Sequence, residues 1–180
     1  MAASLTGQLL VAEPALSDPN FRRSVVLVCD HDDDGAFGLI LNRPTEHTLA
    51  EALEQTFPFE ADLWQGGPVQ LDTLHFLHTH GDTVEGATEV VDGVYWGGKF
   101  ETLIRHGLDY AEPPGRFFAG YAGWSAGQLE DELEAGGWMV LPATARTVLE
   151  PNAELWRRIL RSLGGQFALL ANFPDNPRMN

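Results

Sequence analysis

The chain has 180 residues with 26 acidic against 11 basic side chains, a net charge of −15, and 44% hydrophobic residues. That composition supports a folded core and fits one domain over residues 1–180. The charge opposes nonspecific contact with nucleic-acid backbones or anionic membranes, so direct nucleic-acid binding is not expected.

The N-terminus lacks the basic stretch and apolar core of a secretory signal, and no run approaches the roughly 18 apolar residues of a membrane span. The single cysteine, Cys29, lies in the apolar run Val25-Val26-Leu27-Val28-Cys29 and reads as a small buried hydrophobe. A cytoplasmic setting is expected. Almost all of the positive charge is arginine, with Lys99 the single lysine. An acidic surface of this kind suits concentrated salt, where screening removes the self-repulsion.

In chain order, strands are expected at Gln8–Ala12, Ser24–Asp30 and Phe37–Leu41, the last two joined by an acidic loop with Gly35 at a positive-φ position. A helix follows over Leu49–Phe57, opened by a Thr48/Glu51 capping box. Short strands are expected near Leu63–Gln65, Leu74–His78 and Val90–Trp96, then a helix from Phe100 to His106 stopped by Gly107. Arg116–Gly120 reads as a strand and Ala126–Ala135 as a helix entered through Ser125 and Gln128. Trp138–Leu141 returns as a strand. The last amphipathic helix, Asn152–Leu163, turns Leu155, Ile159, Leu160 and Leu163 inward and Arg157, Arg158 and Arg161 outward. Gln166–Asn172 is read as a final strand. The pattern implies an α+β domain with a mixed, mainly antiparallel sheet.

Gly123-Trp124-Ser125-Ala126-Gly127 matches the G-x-S-x-G nucleophile elbow. In that fold a histidine follows the serine, whereas all six histidines here precede Ser125, so Ser125 is read as a helix cap. His75, His78, His80 and Asp82 do not form a metal site on a strand, where His75 and His78 face opposite ways. The acids around His31 lack the closing glutamate of a calcium loop. No cofactor and no metal are expected.

Several short segments combine into one pattern: Asp18-Pro19-Asn20-Phe21, His31 after the first long strand, and Gly38-Leu39-Ile40-Leu41-Asn42-Arg43-Pro44. Gly66-Gly67-Pro68-Val69 follows, then Gly120-Tyr121-Ala122-Gly123-Trp124 running into Gly127-Gln128-Leu129-Glu130 and Glu132. In order and spacing, from about Gly7 to Leu141, they resemble the AlgH/YqgE family. The resemblance implies a compact α+β domain with a curved, barrel-like sheet flanked by helices. It also implies a regulator label without an established catalytic activity. His31, Asn42, Arg43, Trp124, Gln128 and Glu130 stand at the family-motif positions.

With Asp18, Asn20, Gly67 and Gly127 these residues form the candidate binding set. Pro44 should end strand pairing and leave the Arg43 fork at a sheet end. The glycine-flanked turn before Ala126 offers backbone N–H groups to an anion. The first reading is therefore a non-enzymatic binding or regulatory domain with a groove near Arg43 and Trp124 for a small anion or a partner peptide. The second is an enzyme with His31 as acid/base, oriented by Glu130 or Asp18. Oligomeric state is not encoded in any motif.

Overall fold

The computed structural model describes residues 3–175. Both ends of the expected 1–180 domain, including the first two residues of the N-terminal reading, lie outside them. Strand β1 (Gln8–Ala12) is followed by β2 (Val25–Asp32) and β3 (Gly35–Ile40), then β4 (Pro44–Thr48) and helix α1 (Leu49–Leu53). Next come β5 (Asp62–Gln65), β6 (Val69–His78), β7 (Thr88–Val91), β8 (Val94–Trp96) and α2 (Phe100–Tyr110). Strand β9 (Arg116–Ser125), α3 (Gln128–Glu134), β10 (Trp138–Pro142), α4 (Ala145–Leu149), α5 (Leu155–Leu163) and α6 (Gly165–Leu170) complete the chain.

The strands form one ten-stranded curled sheet in the order β10-β1-β2-β3-β9-β6-β8-β7, with β4 and β5 off this path. Among the described residues only β5–β9 is a parallel pair. The organiser is β9, whose ten residues pair with three different strands. Its first half pairs with β5, its second half with β3, and β6 lies along its other edge. Alternation along β9 therefore feeds two hydrophobic clusters. Phe118, Ala122 and Trp124 pack with the β1–β3 strands and α5, while Phe117 packs with Leu49, Phe59 and Leu103.

The expected α+β class and mainly antiparallel sheet hold, and the corrections are local. Val90–Trp96 is a hairpin, because Asp92-Gly93 turns the chain with Gly93 at φ 72°. Helix α1 ends at Leu53, where Glu54 takes a left-handed conformation, although its Thr48/Glu51 capping box is formed as expected. Helix α2 runs on through Gly107 to Tyr110. A Cβ at Gly107 would collide with Phe59 and Pro114, so that glycine permits close packing within the helix and does not end it. Residues 165–170 are helical, not a strand. Leu163 is 42% exposed rather than core. Arg157 is half-buried, unlike the outward Arg158 and Arg161. The short α4 lacks any amphipathic length that would announce it.

Pro44 does not end pairing. It opens β4, opposite Trp64 of β5, and the chain bends at Leu41-Asn42 between β3 and β4. Proline suits this position because the first residue of a strand gives up no ladder hydrogen bond. Ser125 is not the cap of α3: it is the last residue of β9, and Gly127 precedes the helix at φ 76°. Cys29 is fully buried, and burial followed by the nearby Asp30 charge pushes its thiol pKa up, away from reactivity.

Candidate functional site

The motif residues divide into two groups on either side of the 18–23 loop. Asp18 builds that loop: its carboxylate accepts from the Asn20 backbone N–H at 2.7 Å, an Asx turn. Phe21 then enters the core, stacked on Trp124 at 5.9 Å and edge-on to Trp138 at 5.6 Å. Asn42 ties the loop's far end to the sheet, accepting from Val25 N–H at 2.9 Å and donating to the Arg23 carbonyl at 2.9 Å. The Arg43 guanidinium donates to the backbone carbonyls of Asn20 and Arg22. Neither Asp18 nor Glu130 is its partner. Burial, then the neighbouring Arg22, draws the Arg43 pKa down, and Asp18 offsets part of that.

Arg43 opens onto a cavity of about 330 Å³ with Arg22, Arg23, Asn42 and Arg157 in its wall. Three of these cations were outside the expected site: Arg22, Arg23, and Arg157 from α5. Arg23 is held in a left-handed conformation, φ 55°, with its guanidinium 5.1 Å over the Trp156 ring. The acids at this cavity are Glu154, 3.2 Å from Arg157, and Asp175, which pairs with Arg23 and lies 3.5 Å from Arg157. The backbone beside Asp175 is gripped as well. Arg157 donates to the Ala171 carbonyl at 3.0 Å, and Arg23 to those of Phe173 and Pro174 at 2.9 and 3.1 Å. A turn segment that carries the Asp175 carboxylate is thus seated on the arginines.

The second group surrounds His31 and the turn into α3. The buried His31 ring donates from Nε2 to Glu130 at 2.8 Å and accepts the Leu5 backbone N–H at Nδ1, 3.0 Å away. Those partners fix the Nε2–H tautomer. The distance meets the hydrogen-bond reach that the acid/base reading requires, with Glu130 and not Asp18 as the partner. The geometry supplies a clamp between the N-terminal segment and α3, because both ring nitrogens are engaged within the protein. The Glu130 pKa is held down by its own backbone N–H first, then by His31.

Gln128 accepts the Ser125 backbone N–H at 3.1 Å and donates to Glu132 at 3.0 Å. The other Glu132 oxygen accepts both indole N–H groups, Trp124 at 2.9 Å and Trp138 at 2.8 Å. Glu132 is thus the hub that joins the motif residues. The arginine cavity does not include Trp124, Gly127 or Gln128 in its wall, so the groove spanning Arg43 and the glycine turn is not formed as one pocket. Gly67 serves packing: a Cβ there would overlap the Tyr121 carbonyl and the Ala122 nitrogen of β9.

A histidine stack lies where the end of β6 meets α2. His78 donates to the Gly97 carbonyl at 2.8 Å and accepts from His80 N–H at 3.1 Å, and His80 stacks on His106 at 4.3 Å. His75 lies apart from them, against Phe37 and Tyr121. Burial lowers the pKa of His75, His78 and His80, and the repulsion of His106 adds to this at the latter two. Their folded values lie below the unfolded value of 6.5, so in that window the unfolded chain binds more protons. Stability should be fully present above pH 6.5 and be lost as pH falls through the depressed values. Urea midpoints measured from pH 7.5 to 5 should decline, and His80→Gln should flatten part of the decline; an unchanged slope in the variant would exclude His80 as a source.

The curled half-barrel sheet with its six helices among the described residues defines a class of small α+β domains with solved members. The chain matches the solution structure of the AlgH protein from Pseudomonas aeruginosa at 31% identity and a TM-score of 0.73, covering 98% of this chain and 100% of that one. It also matches a crystal structure of a Corynebacterium diphtheriae protein in fold, with a TM-score of 0.79 at 24% identity over 96% and 94% of the two chains. Residues 9–168 match the family described as AlgH-like (DUF179), and the chain belongs to that family. Curated relatives include a UPF0301 protein of Chlorobaculum tepidum, 47% identical over 97% of this chain and 95% of its own length. Another, from Cytophaga hutchinsonii, is 42% identical over 97% and 98%. Among the described residues no helix is long and apolar enough to cross a membrane.

Proposed function

We propose that this protein is a non-enzymatic binding domain whose arginine cavity takes the carboxylate-bearing end of an acidic peptide, a regulatory role being exerted through that partner and not through DNA. One observation carries the reading: four of the ten arginines in a chain of net charge −15 line a single cavity. Scattered surface arginines would serve solubility; convergence against self-repulsion is expected where an anion is to be held. The Ala171–Asp175 segment supports the peptide over a free ion, since its backbone carbonyls and one carboxylate already satisfy donors of Arg22, Arg23 and Arg157. That segment would act as an internal competitor.

The test is titration of an Asp-rich peptide, with inorganic phosphate alongside it, against wild type, Arg43→Ala and Asp175→Asn. The peptide should bind wild type, Arg43→Ala should weaken it by about tenfold or more, corresponding to at least about 1.4 kcal/mol, and Asp175→Asn should strengthen it. Phosphate binding without peptide binding would reduce the site to a small-anion pocket. No binding of either ligand to any of the three proteins would refute the reading.

A further inference from the structure

Arg116, the first residue of β9, is 5% exposed, and no carboxylate pairs with it among the described residues. Its two terminal nitrogens donate to the Val148 and Leu41 carbonyls, each at 2.8 Å. The Trp64 and Phe118 rings lie 4.7 and 5.0 Å from the guanidinium carbon. The Nε–H is buried and has no acceptor. Carbonyl dipoles and ring faces offset part of the burial of a cation, but a buried charge ordinarily also finds a counterion. Desolvation alone brings the Arg116 pKa down to about 10, so at neutral pH the group stays charged.

Two cavities meet at this residue. The smaller, about 140 Å³, has Glu60 and Asp62 in its wall and would repel an anion. The larger, about 330 Å³, has no acid in its wall among the described residues; it is lined by Arg116, His78, Thr79 and His80 together with three prolines and Leu149. A cation without a counterion, beside two imidazoles and a threonine and facing an apolar remainder of prolines and Leu149, describes a receptor for a particular chemistry. We infer that this cavity binds a small carboxylate carried on a short apolar body, the carboxylate seated as counterion against the Arg116 guanidinium and the apolar part lying against the prolines and Leu149. The site is separate from the arginine cavity of Arg43 and shares no residue with it.

Benzoate is the probe, with benzamide as its uncharged isostere. Benzoate at ten times its Kd should raise the melting temperature of wild type by roughly 3–6 °C, and that of Arg43→Ala equally, while benzamide should not. On the wild-type protein the Arg116 Nε–H proton resonance should move on titration, a readout that needs no variant. Arg116→Met should abolish the shift, and Leu149→Trp, which fills the cavity and leaves the arginine in place, should abolish it too if Arg116→Met does not fold. A benzamide shift equal to that of benzoate, a stationary Arg116 resonance, or loss of the effect in Arg43→Ala would overturn the assignment.

Discussion

Gly67→Ala should destabilise the protein by about 3 kcal/mol or more, a fall of at least roughly 6 °C in melting temperature for a chain of this size. Gly67 links β5 to β6 and passes directly beneath β9, where the nearest atoms to an added Cβ are the Tyr121 carbonyl and the Ala122 nitrogen, all well under 3.0 Å. These are backbone atoms, so no rotamer change relieves the overlap. The strand itself has little freedom to move, since β3, β5 and β6 all hydrogen-bond to it. Gly127→Ala is the matched control. Its φ of 76° imposes left-handed strain of about 1–2 kcal/mol, but an added Cβ meets nothing within 4 Å. Urea denaturation of the two variants compares them. A Gly67→Ala protein as stable as Gly127→Ala would remove the packing account and restore Gly67 as a candidate ligand contact.

The same contrast explains how much of the molecule was legible in its sequence. The apolar β-branched run before His31 announces a buried strand, and Thr48 with Glu51 announces a helix start, because both signals are local. The family resemblance brought His31, Gln128 and Glu130 into view, and the fold joins them through α3. Contacts made across long sequence separations were not legible. Arg22, Arg23, Arg43 and Arg157 share a cavity wall although more than a hundred residues separate Arg43 from Arg157. On helical periodicity alone Arg157 reads as solvated, and only the return of the chain at Ala171–Asp175 covers it. Arg116 gave no signal either, because a strand-initial arginine is usually exposed; its burial depends on α4, which supplies the Val148 carbonyl. Pro44 misled for a related reason: proline marks the boundary of a strand without saying whether one ends or begins there.

Glu132 was present in the motif without a role, and its environment makes the second large prediction. One carboxylate oxygen accepts the Trp124 and Trp138 indoles and the other accepts Gln128, so Glu132→Ala strands two indole N–H groups at the edge of the core. At about 1–3 kcal/mol for each unsatisfied buried donor, the expected loss is roughly 2–6 kcal/mol. Glu132→Gln should lose only about 1 kcal/mol, because its amide carbonyl can keep both indoles and give up the Gln128 contact alone. The consequence reaches the arginine cavity. Trp124 and Trp138 hold the Phe21 ring, and Phe21 anchors the loop whose Asn20 and Arg22 carbonyls position Arg43. Glu132→Ala should therefore weaken acidic-peptide binding as well as stability, with faster exchange at both indole protons, whereas Glu132→Gln should retain binding. Equal stability of the two variants would mean that water replaces the carboxylate at the indoles. In that case the Phe21 anchor would rest on ring packing alone, and the cavity would be independent of the motif that runs from Trp124 to Glu132.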